Sequence, residues 1–200
     1  MLNETIRNLN ERGFITAHLK NAEEARNYLE KHIKTNESCG FGGSVTVRST
    51  GIYDFLKERG NRVIWHWYDK SEDGTDIRRS AINCDCYITS VNAIVKNGDL
   101  VSIDGAGNRI AGMIYGGKRA FILASVDKIC ESYDKAINRI QTIACPNNAR
   151  RLELKTPCSV TNNCSDCSEK IRMCRITTIY SYPANGRETH VVLVNDNIGY

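Results

Sequence analysis

Four cysteines crowd the stretch "TPCSVTNNCSDCSEKIRMC": Cys158, Cys164, Cys167 and Cys174, separated by five, two and six residues. Thiolates are ligands for soft metals. A CxxC pair lets two of them converge on one centre, which flanking cysteines can complete. Lys155, Lys170, Arg172 and Arg175 lie around them and offset the charge of four thiolates. The segment 156–175 is therefore read as metal-binding. Zinc sites more often pair two CxxC knuckles, and only one occurs here. An iron–sulfur cluster of the four-iron type is the favoured cofactor, with zinc as the alternative, although the spacing is not that of a bacterial ferredoxin. The other five cysteines, Cys39, Cys84, Cys86, Cys130 and Cys145, lie on or beside apolar stretches and read as small core residues.

Two polar turns could hold a ligand. "GFGGSVT" places Gly42, Gly43, Ser44 and Thr46 just after a short apolar run. Glycines let backbone amides approach an anion closely, and the two hydroxyls can hydrogen-bond to it. The spacing is neither the dinucleotide fingerprint nor a phosphate-binding P-loop, so the turn is also readable as a plain strand-to-helix connection. "DGAGNR" offers Asp104, Asn108 and Arg109, an acceptor, an amide and a guanidinium fork able to grip a carboxylate or phosphate. Asn92 follows a strand end, where open α/β sheets place ligands. Asp104 is the candidate catalytic acid or base. The alternative is that Asp104 and Asn108 only organise a glycine turn. His66, inside "RVIWHWY", reads as a packed or surface imidazole. Nothing resembles HExxH or a nucleophile elbow.

The elements that must position these residues follow from periodicity. Residues 1–35 read as two helices, the second opened by Asn21 as cap with Glu24 three residues on. "GIYDFLKERG" reads as a helix closed by Gly60, "RVIWHWY" as a strand, and "TDIRRSAINC" as a helix leading into the strand "CYITSV". A hairpin is predicted around Asn97-Gly98-Asp99. "GNRIAGMIYG" suggests a short helix, "RAFILAS" a central strand, and "ESYDKAINRIQTIA" an amphipathic helix stopped by Pro146. A second hairpin joins "RITTIYSYP" to "THVVLVN" across Asn185-Gly186. Strands alternating with helices predict an α/β fold with a mixed, mainly parallel sheet flanked by helices, in one domain over residues 1–200.

A net charge of +4 without a basic, aromatic-interleaved stretch argues against nucleic acid. No apolar run approaches the roughly 20 residues that span a bilayer, so no membrane role is expected. The start "MLNETIRNLNERG" lacks the basic and apolar regions of a secretory leader, and nine cysteines suit a disulfide framework poorly. A cytoplasmic protein with reduced thiols is expected. The C-terminal hairpin would leave an edge for self-association, hence an expected homodimer.

The motifs "CGFGGSVT", "CDCYITSVNAI", "DLVSIDGAGNRIAGMIYG", "IACPNNARRL" and "TPCSVTNNCSDCSEKIRMC", in this order, resemble the LUD-domain family named for lactate utilisation proteins B and C. The resemblance implies a fold like those of ribose-phosphate isomerases, glucosamine-phosphate deaminases and CoA transferases. It further implies a cleft for a small anionic metabolite at strand ends, and an iron–sulfur redox partner in organic-acid utilisation. The chain resembles the short, stand-alone members with a cysteine-rich insert, and it lacks the ferredoxin-like extension of the B-type protein. Isomerase- or transferase-like chemistry beside structural zinc, or a non-catalytic regulatory subunit, are the rival readings.

Overall fold

The apolar run "RAFILAS" forms strand β7 (Arg119–Ser125), buried from its second residue onward. In this computed structural model, which describes residues 1–71 and 76–200, β7 lies inside a six-stranded sheet. The strand order is β1 (Ile15–Leu19), β10 (Glu188–Val194), β7, β4 (Cys86–Thr89), β2 (Cys39–Phe41), β3 (Val63–Ile64). Every neighbouring pair runs parallel. Side chains alternate across a strand, and both faces are covered. Phe121 and Leu123 of β7, with Val192 and Val194 of β10, enter one core with helices α2 (Ala22–His32), α3 (Val45–Ser49) and α4 (Ile52–Glu58). Ile122, Ala124, Val191 and Leu193 enter the other, with α1 (Leu2–Glu11) and α6 (Asn108–Tyr115).

A smaller sheet closes that second core, in the order β8 (Ile129–Cys130), β5 (Ala93–Val95), β6 (Leu100–Asp104), β9 (Ile176–Tyr180). The hairpin predicted at Asn97-Gly98-Asp99 joins β5 to β6. The Asn97 side chain accepts the Asp99 amide, and Gly98 takes φ +96°. Beneath this sheet lies a long helix in three pieces: α7 (Tyr133–Arg139), a π-helix over Ile140–Ala144, and α8 (Cys145–Arg151). Helix α5 (Ile77–Ile82) packs against β2 and α6, and α9 (Pro157–Thr161) packs against α8. No helix among the described residues is long and apolar enough to cross a membrane.

The α/β class and the mainly parallel sheet are as expected, and the Asn21 side chain caps α2 through the Glu24 amide. Four local expectations change. Strand β1 intervenes between the two N-terminal helices; as an edge strand with half-exposed residues it carries little apolar signal. "RVIWHWY" is a strand only at Val63–Ile64, because Asp69 folds the chain back by accepting the Trp65 amide and donating its own to Trp65 O. Pro146 does not stop the helix, since it falls in the first turn after the π segment, where a missing N–H is tolerated. Strands β9 and β10 form no hairpin: β9 pairs antiparallel with β6, whereas β10 lies parallel between β1 and β7. The edge expected from that hairpin is instead β9 alone, the outer strand of the small sheet. Thr75, at the start of the predicted helix "TDIRRSAINC", lies outside the described residues.

Candidate anion cavity and cysteine site

A cavity of about 220 Å³ opens at the carboxyl ends of the parallel strands, where doubly wound sheets place ligands. Of the residues expected from the sequence, Gly43, Ser44, Thr46, Asn92, Asp104, Asn108 and Arg109 all line it. Gly42 does not. Its amide is spent on Ile88 O in the sheet, and a Cβ there would meet Thr89 Oγ1 at 2.6 Å and Arg109 Cγ at 3.1 Å. Gly42 therefore provides the space through which Arg109 passes. Ser44 caps α3 by accepting the Val47 amide.

Arg109 is held from several sides. Its guanidinium donates to Ile103 O and to Asn92 Oδ1 at 3.4 Å, and its Nε lies 3.4 Å from Asp104 Oδ2. Asp104 is almost wholly buried and accepts the amides of Ala106, Gly107 and Arg109. Both its oxygens are thus engaged in shaping the turn and orienting the arginine. Asn92 accepts the Ile103 amide as well. Such a fixed fork suits a carboxylate or phosphate, because little side-chain freedom remains to be lost on binding.

Several cavity residues carried no functional signal in the sequence. Arg78, Arg151, His66, Trp67 and Lys128 also line it. Arg151 stacks over the Trp67 ring at 4.7 Å and is pinned to Asn148 Oδ1 at 2.7 Å. Burial and the nearby Arg78 lower the His66 pKa, favouring a neutral imidazole. Its buried Nδ1 has no hydrogen-bond partner among the described residues. Lys128 Nζ reaches Thr46 Oγ1 at 2.7 Å, Val91 O at 3.0 Å and Ser90 Oγ at 3.1 Å. Burial, then Arg139 and Arg109, hold its pKa well below the usual lysine value. Position in the fold was the available clue: Lys128 follows the carboxyl end of the central strand β7.

The four cysteines of segment 156–175 line a second, smaller cavity of about 10 Å³ together with Cys145, Thr156, Ser165, Arg172 and Met173. Amide and guanidinium donors reach two of the sulfurs: Asp166 N to Cys164 Sγ, and Arg172 Nε to Cys174 Sγ, both at 3.3 Å. Arg172 also binds the carbonyls of Cys167 and Cys174, threading the loop together. Burial and the neighbouring Cys174, Cys164 and Cys158 push the Cys145 thiol up to about 12. No group of three or more His, Cys, Asp or Glu among the described residues is close enough to hold a metal ion as the segment stands. The volume is about that of one water-sized probe. A four-iron cluster is larger than that space, and a single ion would need at least three of these thiols drawn together.

The two cavities share a wall, since Cys145 and Met173 line both. The segment is also tied to the Asp104 turn and to α8: Arg175 donates its amide to Asp104 O at 3.0 Å, and Asn148 Nδ2 donates to Met173 Sδ at 2.8 Å. On the other side Cys164 N binds Gln141 O in the π-helix.

A family model of the LUD domain matches residues 2–194. Among solved structures, the chain is similar to a DUF162 family protein from Deinococcus radiodurans, with a TM-score of 0.58 and 11% identity over 96% of this chain and 95% of that chain. At that identity the likeness speaks for the fold. No curated protein matches the chain.

Proposed function

The chain belongs to the LUD-domain family, and from that premise we propose that it binds a small anionic metabolite of an organic-acid redox pathway beside a cysteine-held metal centre. The observation that carries this reading is the shared wall: Cys145 and Met173 separate the anion cavity from the cysteine cavity by one layer of side chains. Cationic Arg78, Arg109 and Arg151 face the larger cavity against Asp104, the one carboxylate side chain among the described residues that line it, which Arg109 already neutralises. The balance favours an anion. In this reading Arg109 grips the anion, Asp104 and Asn92 position Arg109, and the Gly43, Ser44 and Thr46 turn shapes the wall. His66 and Trp67 complete the wall.

Cys158, Cys164, Cys167 and Cys174 would hold the metal, with Arg172 and the Asp166 amide stabilising the thiolates. An iron–sulfur cluster there would supply one-electron transfer next to the bound acid. The second reading, structural zinc beside an isomerase- or transferase-like cleft, is favoured by the small volume between the thiols. Calorimetric titration with lactate, pyruvate and inorganic phosphate tests the anion site. Binding of at least one, weakened roughly ten- to a hundredfold in Arg109→Ala, is the expected outcome. Unchanged affinity in that variant would sink the assignment.

A further inference from the structure

Lys128 lines the cavity, and the reading above gives it no task. Its side chain is 2 % exposed, and no ion pair to it occurs among the described residues. A buried ammonium without a counter-charge is strongly disfavoured, and the two arginines nearby, Arg109 and Arg139, disfavour it further. Its three hydrogen-bond partners are neutral oxygens, and none supplies a counter-charge. Nζ donates to Thr46 Oγ1 at 2.7 Å, Val91 O at 3.0 Å and Ser90 Oγ at 3.1 Å. Both hydroxyls belong to residues that line the same cavity. A mere tie between α3 and the end of β4 needs no ionisable group there. An amine among arginines, at the wall of a cavity suited to anions, is by contrast an activated nucleophile.

We propose that Lys128 forms an imine with a carbonyl compound that carries a carboxylate or phosphate, the anionic group being held by the arginines of the cavity. The proposal rests on the reading of this cavity as an anion site and adds the functional group its ligand must bear. In the step, the Nζ lone pair attacks the carbonyl carbon and a C–N bond forms. The C=O π pair moves to oxygen, which takes a proton that nitrogen gives up. Loss of that oxygen as water, with the second nitrogen-bound proton, leaves C=N. Amine and carbonyl give imine and water, with no change of oxidation level. The Thr46 and Ser90 hydroxyls, both within hydrogen-bond reach of Nζ, are placed to carry those protons. The imine withdraws electrons from the adjacent carbon and labilises a bond there.

The test uses the full chain incubated with pyruvate, and separately with dihydroxyacetone phosphate, in the presence of sodium cyanoborohydride, followed by intact mass and peptide mapping. Acetone serves as a carbonyl without an anion, and inorganic phosphate titrated by calorimetry reports the anion site alone. One reduced adduct per chain, mapped to Lys128 with an anionic carbonyl and formed at least about tenfold faster than with acetone, supports the proposal. Loss of that adduct in Lys128→Met completes the support, and the wild-type map stands whether or not the variant folds. If phosphate binds while adducts are absent or scattered over exposed lysines, Lys128 is not the nucleophile and the anion site survives. If neither phosphate nor the carbonyl compounds bind, both readings fall.

Discussion

Arg109 shows how a residue chosen by type is fixed in place by its surroundings. The sequence made Asp104, Asn108 and Arg109 neighbours, and the suggestion of an anion grip needed nothing more than their chemistry. What it left open was the division of labour, because Asp104 could have been a free carboxylate. Three backbone amides and the guanidinium now occupy it, so its geometry is that of a positioning group. Lys128 was illegible for a different reason. A lysine in "ASVDKIC" has no local mark of burial, and only the meeting of β4, α3 and β7 removes it from water. Its low folded pKa has a consequence for stability. Between the folded value and the unfolded value near ~10.4, the unfolded chain binds more protons than the native one. This group's contribution is therefore present above that unfolded value and is lost as pH falls toward the folded one. Urea midpoints of the wild type should rise from about pH 7 to about pH 10 relative to those of Lys128→Met. Parallel midpoints in the two proteins would mean that the buried lysine is charged throughout.

At the level of elements, periodicity and turn chemistry were enough wherever an element is decided by its own residues. The hairpin of β5 and β6 follows from Asn97-Gly98-Asp99, the start of α2 from Asn21, and the burial of β7 from an unbroken apolar run. They failed where pairing is decided at a distance. Asn185-Gly186 does make a turn, with Gly186 at φ +74°, yet the strands on either side leave for different sheets. The π-helix over Ile140–Ala144 is equally invisible locally. It delivers Ala144 and Cys145 to the cavity wall and frees Gln141 O to receive Cys164 N, a use for which such bulges are known. Close packing between elements gives its own prediction. Helix α6 approaches β4 through Gly112, where a Cβ would lie 2.1 Å from Tyr87 Cζ. Gly112→Ala must displace that ring or the helix, and a loss of about 1–3 kcal/mol in denaturant unfolding is expected. Unaltered stability would show that α6 can shift freely, against the rigid mounting claimed for Arg109, which lies on the same helix.

At the scale of the whole molecule, two features read separately from the sequence prove to be adjacent. The anion turn and the cysteine segment are far apart in the chain, and no local pattern relates them. The fold brings them together because β6 ends at Asp104 beside the start of β9, so that the Arg175 amide reaches Asp104 O and the segment before it lies against α8. A metal on those thiols would bear on the larger cavity through Cys145 and Met173, which line both, and through the Arg175 amide on Asp104 O. The most direct test is to purify the protein without oxygen, record its visible absorption, and quantify iron, sulfide and zinc per chain in the wild type and in the Cys164→Ser, Cys167→Ser double variant. The account predicts one stoichiometric centre in the wild type, an iron–sulfur cluster or a zinc ion, and its loss in the variant. A wild-type protein with no bound metal and four freely titrating thiols would contradict it.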